Sequence, residues 1–546
     1  MNLIFDRRQI IALGSLGLGA LSSKSAHAIA NITGFTHGVA SGEPTASSVL
    51  LWTRFVAPRD TELSVEIARQ ADFSDGQTVG TVTARMDRDH IAKITIGDLP
   101  ANRWFFYRFV APDGRRSQVG RSRTLPDQPV SRFHIGVFSC ANIGFGYFNA
   151  YAHAAARSDL DLMVHTGDYF YEYGPGIYPD KNNALKARIV GPQHETVRLA
   201  DYRLRYAGYR ADPDLQRLHA LFPMISMWDD HEFANDAYKD GAENHQSKTE
   251  GDWSARKRVA EQVYREWMPV SDLADGEKRW SAYQIGDLAT IFVTESRISG
   301  RSRALDLGSA VAGKENITAT LATFRDQKWS DPARTMFGLD QEAWLAEALR
   351  ASTQAGTKWQ VLAQQCVMGN IQLPQIAEQW VPETAPEIVR LRTEVGVLAA
   401  SAGLPLNFDA WDGFPAARER LLRSAQAADA DLIVLSGDSH NGWAFNLQAD
   451  GKAAGVEFAG HSVSSPGFEW AVPQIAPADV AQALIDTNNQ LYWVDSSKRG
   501  YMSVMLTPDQ AVSTWHFLES ITRKSTKMAG SRQQTVRRKE RRIMGS

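Results

Sequence analysis

The chain has 546 residues, 43% apolar and 22% charged, with a formal net charge of −3. That profile excludes a wholly disordered chain and describes a globular protein long enough for two or more domains. No cluster of excess positive charge crosses the main body, which excludes phosphate-tracking nucleic-acid binding, and no apolar run reaches the ~20 residues of a membrane-spanning helix.

At the N-terminus, Arg7 and Arg8 precede an apolar, glycine-rich run over 10–21, and Ala26-His27-Ala28 supplies small residues at a cleavage spacing. Residues 1–28 therefore read as an export signal. The stretch Asp6-Arg7-Arg8-Gln9-Ile10-Ile11 resembles a twin-arginine signal, which implies folded passage through twin-arginine export machinery to a bacterial periplasm or the medium. Only two cysteines are present, Cys140 and Cys366. Both are expected as free thiols: Cys140 ends a strand pattern beside polar residues, and Cys366, in VLAQQCVMG, is expected to pack as a small apolar residue.

Residues 31–125 carry short β-like runs at 49–55, 63–69, 78–84, 90–96 and 104–110, separated by turns such as Ser74-Asp75-Gly76 and Pro112-Asp113-Gly114. This is the pattern of a small β-sandwich domain; Leu99-Pro100 followed by Trp104, Tyr107 and Phe109 resembles fibronectin type III strands. A proline-containing linker, 124–131, leads into a mixed α/β domain over 131–521, where strand-like runs alternate with helical stretches at 149–157, 253–267, 341–351 and 416–427. Two long interruptions, 174–220 and 370–411, are rich in aromatics and prolines and are expected to wall the site. The tail, 522–546, is basic without an apolar face and is expected to be disordered.

Four apolar runs in the larger domain stop on polar residues: FHIGVFSC at Cys140, LDLMVHTGDYFY at Asp168 and Tyr171, FPMISMWDDHE at Asp229 to Glu232, and LIVLSGDSH at Asp438 and His440. In an open α/β sheet the ligand crevice lies at the carboxyl ends of the strands, so the four endings can converge. A carboxylate at such an end can bridge two cations, and a nearby thiol and phenol call for a strongly polarising ion. Asp438 and His440, two apart, can point the same way. Alone, each aspartate beside glycine is an ordinary turn residue, and each histidine an ordinary core or surface residue. Their coincidence in four strand endings points to metal ions.

The segments FSC, GDYFYEYG, WDDHEFAND and SGDSHNGWA, with THGVASGEPTASSVLLWTR near the N-terminus, resemble the alkaline phosphatase D (PhoD) family of calcineurin-like metallophosphoesterases over almost the whole mature chain. The resemblance implies an α/β (α+β) four-layer sandwich, with two sheets flanked by helices, behind the N-terminal all-β domain. It also implies Fe(III) held by Cys140, Asp168, Tyr171 and His440, with one or two Ca(II) ions held by Asp168, Asp230, Asn235 and Asp438. His231 matches the histidine that contacts phosphate and protonates the leaving oxygen. The choice among Asp229, Asp230, Asn235 and Asp236 rests on this resemblance alone.

Charge balance agrees with a cation centre. Thiolate, phenolate and three carboxylates sum to five negative charges, which one Fe(III) and one Ca(II) neutralise, while a second Ca(II) leaves two positive charges for a phosphate dianion. Zinc is the rival at the thiolate. The function implied is hydrolysis of phosphomonoesters or diesters by metal-activated hydroxide. Two alternatives are a phospholipase D-like phosphodiesterase on envelope or lipid diesters, and a non-catalytic envelope-binding protein with structural metals.

Overall fold

The computed structural model describes residues 33–272, 279–385 and 387–544; the expected export signal, 1–28, lies outside them. Among the described residues, seven strands precede the linker: β1 (Gly34–Gly42), β2 (Val49–Val56), β3 (Thr61–Ala68), β4 (Gln77–Ala84), β5 (Ile91–Ile96), β6 (Trp104–Val110) and β7 (Gly120–Arg123). Beyond it come β8 (Phe133–Phe138), β9 (Leu162–His165), β10 (Pro223–Ser226), β11 (Ser281–Ile285), β12 (Ala289–Val293), β13 (Trp359–Ala363) and β14 (Leu432–Ser436). The last six are β15 (Gly442–Ala449), β16 (Lys452–Ala459), β17 (Leu491–Asp495), β18 (Gly500–Leu506), β19 (Gln510–Leu518) and β20 (Met528–Arg537).

They form a nine-stranded sheet, β20-β19-β18-β8-β9-β10-β1-β2-β5, a seven-stranded sheet, β11-β12-β13-β14-β16-β15-β17, and a four-stranded sheet, β4-β3-β6-β7. The two large sheets pack face to face. Alternate residues of β8, β9 and β10, among them Ile135, Val137, Val164 and Ile225, meet Ile291, Val361, Ile433 and Leu435 of the other sheet in an apolar inner core. The opposite face of the nine-stranded sheet is covered by helices that include α1 (Asn149–Ala155), α2 (Leu199–Arg210), α3 (Pro213–Leu221) and α4 (Trp253–Trp267). Helices α5 (Leu339–Gln354) and α6 (Pro415–Ala427) cover the outer face of the seven-stranded sheet. Helix, sheet, sheet and helix make the four layers, because a strand buried on both faces needs apolar cover on both.

The N-terminal all-β region is present, and its strands divide between two sheets. Strands β3 and β6 pack Leu63, Val65, Tyr107 and Phe109 against Val39, Val49, Leu51 and Ile96 of β1, β2 and β5. Those three strands belong to the large sheet, where β1 runs parallel to β10 with Ser41 opposite Pro223 and Gly42 opposite Met224. One sheet thus serves two cores, and the linker marks no break in hydrogen bonding.

The tail requires a correction. Within 522–544, Met528–Arg537 forms β20, paired antiparallel to β19 from Gln510 opposite Arg537 to Leu518 opposite Met528. Only Val536 and Ile543 enter the inner core, so its sequence shows almost no alternation. The pairing comes from the open edge of β19, and a basic outer strand is a common way to end a sheet. Lys539 and Arg541 also pair with Asp429, at 2.9 Å for Lys539.

Candidate metal centre

The parallel strands β8, β9 and β10 of one sheet and β12, β13 and β14 of the other deliver their carboxyl ends to the same place. There the chain turns sharply: Cys140, Asp168, Asp438 and His440 all take left-handed backbone conformations, with φ of 57°, 53°, 59° and 63°. Non-glycine residues held in that region cost energy, and such costs cluster at functional sites. Two glycines let the turns approach. A Cβ on Gly167 would lie 2.4 Å from Cβ of Asp229, and one on Gly437 would lie 2.6 Å from Cβ of Ser139.

Two groups of ligand-type atoms result. A sulfur of Cys140, a carboxylate oxygen of Asp168 and a ring nitrogen of His440 lie within 4.8 Å of one another, and so do carboxylate oxygens of Asp168, Asp229, Asp230 and Asp438. Asp168 belongs to both. Tyr171 closes the first group: its Oη is 3.0 Å from Asp168 Oδ2 and 3.0 Å from His440 Nε2, and it accepts from Ser465 Oγ at 2.8 Å. His440 donates through Nδ1 to the Pro466 carbonyl at 2.8 Å, which leaves an Nε2 lone pair facing Tyr171. One phenol proton cannot serve two acceptors. Asp168 Oδ1, Asp229 Oδ2 and Asp230 Oδ1 are also buried with no hydrogen-bond partner among the described residues. Unpaired carboxylate oxygens and a competing imidazole and phenol fit cations, which each of these atoms can bind.

The electrostatics lead to the same conclusion. Burial, then the Asp168 carboxylate, push the Cys140 thiol well above its usual range. Burial and the charges of Asp230 and Asp229 do the same to Asp168, and burial with Asp168 raises Tyr171. Burial holds His440 neutral. At an effective dielectric of 20, two like charges at such separations repel by about 3–4 kcal/mol. A cation reverses the upward shifts of Cys140, Asp168 and Tyr171 and further favours the neutral His440 that can ligate it.

Arg297 is the fixed positive charge behind the carboxylates, and no sequence motif marked it. The turn after β12 places it: Glu295 accepts from the backbone amides of Arg297 at 2.6 Å, Ile298 at 2.8 Å and Ser299 at 2.7 Å. Its guanidinium is fully buried; Nε donates to Asp229, Nη1 donates to Asp409 Oδ2 at 2.5 Å, and Nη2 lies 3.6 Å from Asp230 and 3.7 Å from Asp438. Burial works against ionisation of Asp230, yet Arg297 and His231 outweigh it and hold that carboxyl below its usual range. Asp229 is thus committed to Arg297 through one oxygen, whereas Asp230 faces the cluster and accepts from the Asp236 amide at 2.6 Å. Arg297→Met is expected to lower the unfolding free energy by about 3–5 kcal/mol, the cost of leaving a buried charge unpaired. Urea unfolding checks this, with Arg297→Lys recovering part of the loss.

His231 stands beside the carboxylate group, a ring nitrogen within 4.8 Å of oxygens of Asp168 and Asp230. Its Nδ1 donates to Glu172 Oε2 at 2.6 Å, and the other Glu172 oxygen accepts from the Asn235 amide and from Asn244 Nδ2, both at 2.8 Å. Glu172 thereby fixes the imidazole ring and directs Nε2 away from itself. Asn235 is buried next to this pair, with its side-chain amide donating to Glu243 at 3.3 Å. Glu232 accepts from the amides of Asp168 at 3.1 Å, Tyr169 at 2.6 Å and Asp229 at 2.7 Å, tying two strand endings together.

Both cysteines are free and buried. Cys366 joins the core outside the seven-stranded sheet. Its sulfur also lies within 4.8 Å of carboxylate oxygens of Asp409 and Asp438, a group whose charge Arg297 and Arg301 already offset. No helix among the described residues is long and apolar enough to cross a membrane.

Comparison with known proteins places this geometry. Residues 135–515 match the model of the PhoD-like phosphatase family, and residues 21–126 match that of the PhoD-like phosphatase N-terminal domain. Alkaline phosphatase D of Bacillus subtilis (strain 168) is 31% identical over 95% of this chain and 86% of its own length. A solved structure of PhoD superposes with a TM-score of 0.75 at 28% identity, covering 94% of this chain and 93% of that one.

Proposed function

The chain belongs to the PhoD-like phosphatase family and is a phosphoric ester hydrolase, and from that premise we propose that it is an exported, iron- and calcium-dependent phosphatase of the alkaline phosphatase D type. Cys140, Asp168, Tyr171 and His440 would hold Fe(III), since a soft thiolate favours iron over calcium and a phenolate favours a highly charged ion. Asp168, Asp230 and Asp438, with the amide oxygen of Asn235, would hold Ca(II) through oxygen alone. When bound, such ions polarise the phosphoryl oxygens and lower the pKa of a coordinated water. The observation that carries the reading is the meeting of both ligand groups at Asp168.

The protein's own residues supply the rest. Tyr171 and His440 are held ready by Ser465 and Pro466, so neither must reorganise. Arg297 and Arg301 together offset the charge of Asp229 and Asp409, which leaves Asp230 and Asp438 for cations. His231, oriented by Glu172, offers the proton that the departing alkoxide needs, and phosphomonoesters and diesters both present such an oxygen. Export follows from the reading of residues 1–28 as a twin-arginine signal, which places the enzyme in the periplasm or the medium.

Metal analysis with a visible spectrum tests the assignment. Purified enzyme is expected to contain iron and calcium and to show a phenolate-to-Fe(III) charge-transfer band that Tyr171→Phe removes. A colourless, zinc-only, fully active enzyme would refute the iron site.

A further inference from the structure

The loop that follows β16 closes the centre from a side that no sequence motif marked. Over 460–468 it reads Gly-His-Ser-Val-Ser-Ser-Pro-Gly-Phe, and it is tied to two ligand-bearing strand endings at once. On the Cys140 side, the Val463 amide donates to the Ser139 carbonyl at 3.0 Å, and Ser464 Oγ donates to the Asn142 carbonyl at 2.8 Å. On the His440 side, the Pro466 carbonyl accepts from the imidazole Nδ1, and the Phe468 amide donates to Asn441 Oδ1 at 3.1 Å. Gly467 permits that approach, since a Cβ there would lie 2.2 Å from Asn441 Oδ1.

Within this loop, the Ser465 side chain reaches a ligand atom. Its Oγ donates to Tyr171 Oη at 2.8 Å and lies 3.1 Å from the Cys140 carbonyl oxygen. One hydroxyl proton serves one acceptor well, and a phenolate outcompetes a neutral carbonyl because charge-assisted hydrogen bonds are about twice as strong. Of the hydrogen-bond neighbours of Tyr171 Oη among the described residues, Asp168 Oδ2 and His440 Nε2 bring lone pairs, whereas Ser465 brings a proton. The donor is also held in place. Ser465 is fully buried, and a residue before proline is confined to extended backbone. The hydroxyl is therefore aimed at Tyr171 by the fold itself.

Resting on the iron reading above, we propose that Ser465 is a positioning residue for the phosphoester hydrolysis: its hydroxyl draws electron density from the Tyr171 phenolate, so that iron bound there polarises phosphate more strongly. A phenolate that shares its charge with a proton donates less to a metal. Hydrogen bonds to ligands, made from outside the ligand set, tune metals in this way.

Spectra and turnover of the iron-loaded enzyme test this. At equal iron content, Ser465→Ala is expected to move the phenolate-to-Fe(III) band to longer wavelength by about 10–30 nm, the energy of one charge-assisted hydrogen bond expressed in the visible range, and to lower kcat about tenfold. Ser464→Ala removes a hydrogen bond of the same loop that touches no ligand atom, and is expected to leave band and turnover at wild type. An unmoved band in Ser465→Ala, equal shifts in the two variants, or a moved band at unchanged turnover overturns the proposal and leaves the iron reading intact. A wild-type enzyme that holds iron but shows no such band overturns both. A measurement without variants stands beside these: the phenolate C–O vibration of wild type, read by resonance Raman, is expected to shift between H2O and D2O, and identical spectra in the two solvents overturn the proposal.

Discussion

Asp168→Asn is expected to reduce kcat/KM by at least about 10³-fold, the scale set by losing a preorganised charge at a phosphoryl-transfer site. Among the described residues, no other side chain lies in both ligand groups. An asparagine keeps the shape of the turn but offers one neutral oxygen in place of a bridging carboxylate, so each group loses the negative charge they share. Stability supplies a second readout with the opposite sign. Without metal, burial and then the charges of Asp230 and Asp229 push Asp168 toward its neutral form, so the metal-free variant is expected to melt at or above metal-free wild type. With metal, wild type should gain stability by mass action, about 2.7 kcal/mol at a hundredfold excess over Kd, and the variant should gain far less. Calorimetric melting with and without chelator distinguishes these outcomes. A variant with full metal content, normal turnover and a wild-type response to metal would remove Asp168 from the centre.

Why that residue was legible in the sequence, and others were not, follows from how each is held. Cys140, Asp168, Asp230, Asp438 and His440 each sit just past a short apolar run, so a reading of strand endings finds them directly. Asp229 and Asp230 could not be separated that way, because adjacent residues share the same strand ending; the difference between them is made by Arg297. Arg297 and Asp409 carry no local signature. Arg297 follows β12 in a turn locked by Glu295, and Asp409 comes from the second long interruption, so their meeting depends on the packing of two sheets and a loop. Glu172 lay within a recognised segment, GDYFYEYG, but its role depends on His231, 59 positions later in the chain. The two large sheets follow from continuous apolar runs, whereas β20 draws its order from the edge of β19 and so left almost no periodicity to read.

The partnership of Glu172 and His231 leads to the second large effect. His231→Ala is expected to keep its metals, because Cys140, Tyr171, His440 and the carboxylates do not depend on the imidazole for their positions. It should lose about 10²–10⁴-fold in kcat on esters with poor leaving groups, the range for a missing general acid, and much less on nitrophenyl esters, whose anion departs unaided. Glu172→Gln should follow the same leaving-group pattern at about 10–100-fold, the usual cost of removing a partner that orients a functional histidine. The amide can still accept from Nδ1, but it no longer carries a negative charge beside the ring. Burial alone would disfavour ionised Glu172; His231, Asn244 and the Asn235 amide together hold it below the usual carboxylate range. A plot of log kcat against leaving-group pKa, steeper in both variants than in wild type, is the result expected. Parallel lines, with equal losses for good and poor leaving groups, would make His231 a phosphate-binding residue and Glu172 its anchor, with no proton transferred through either.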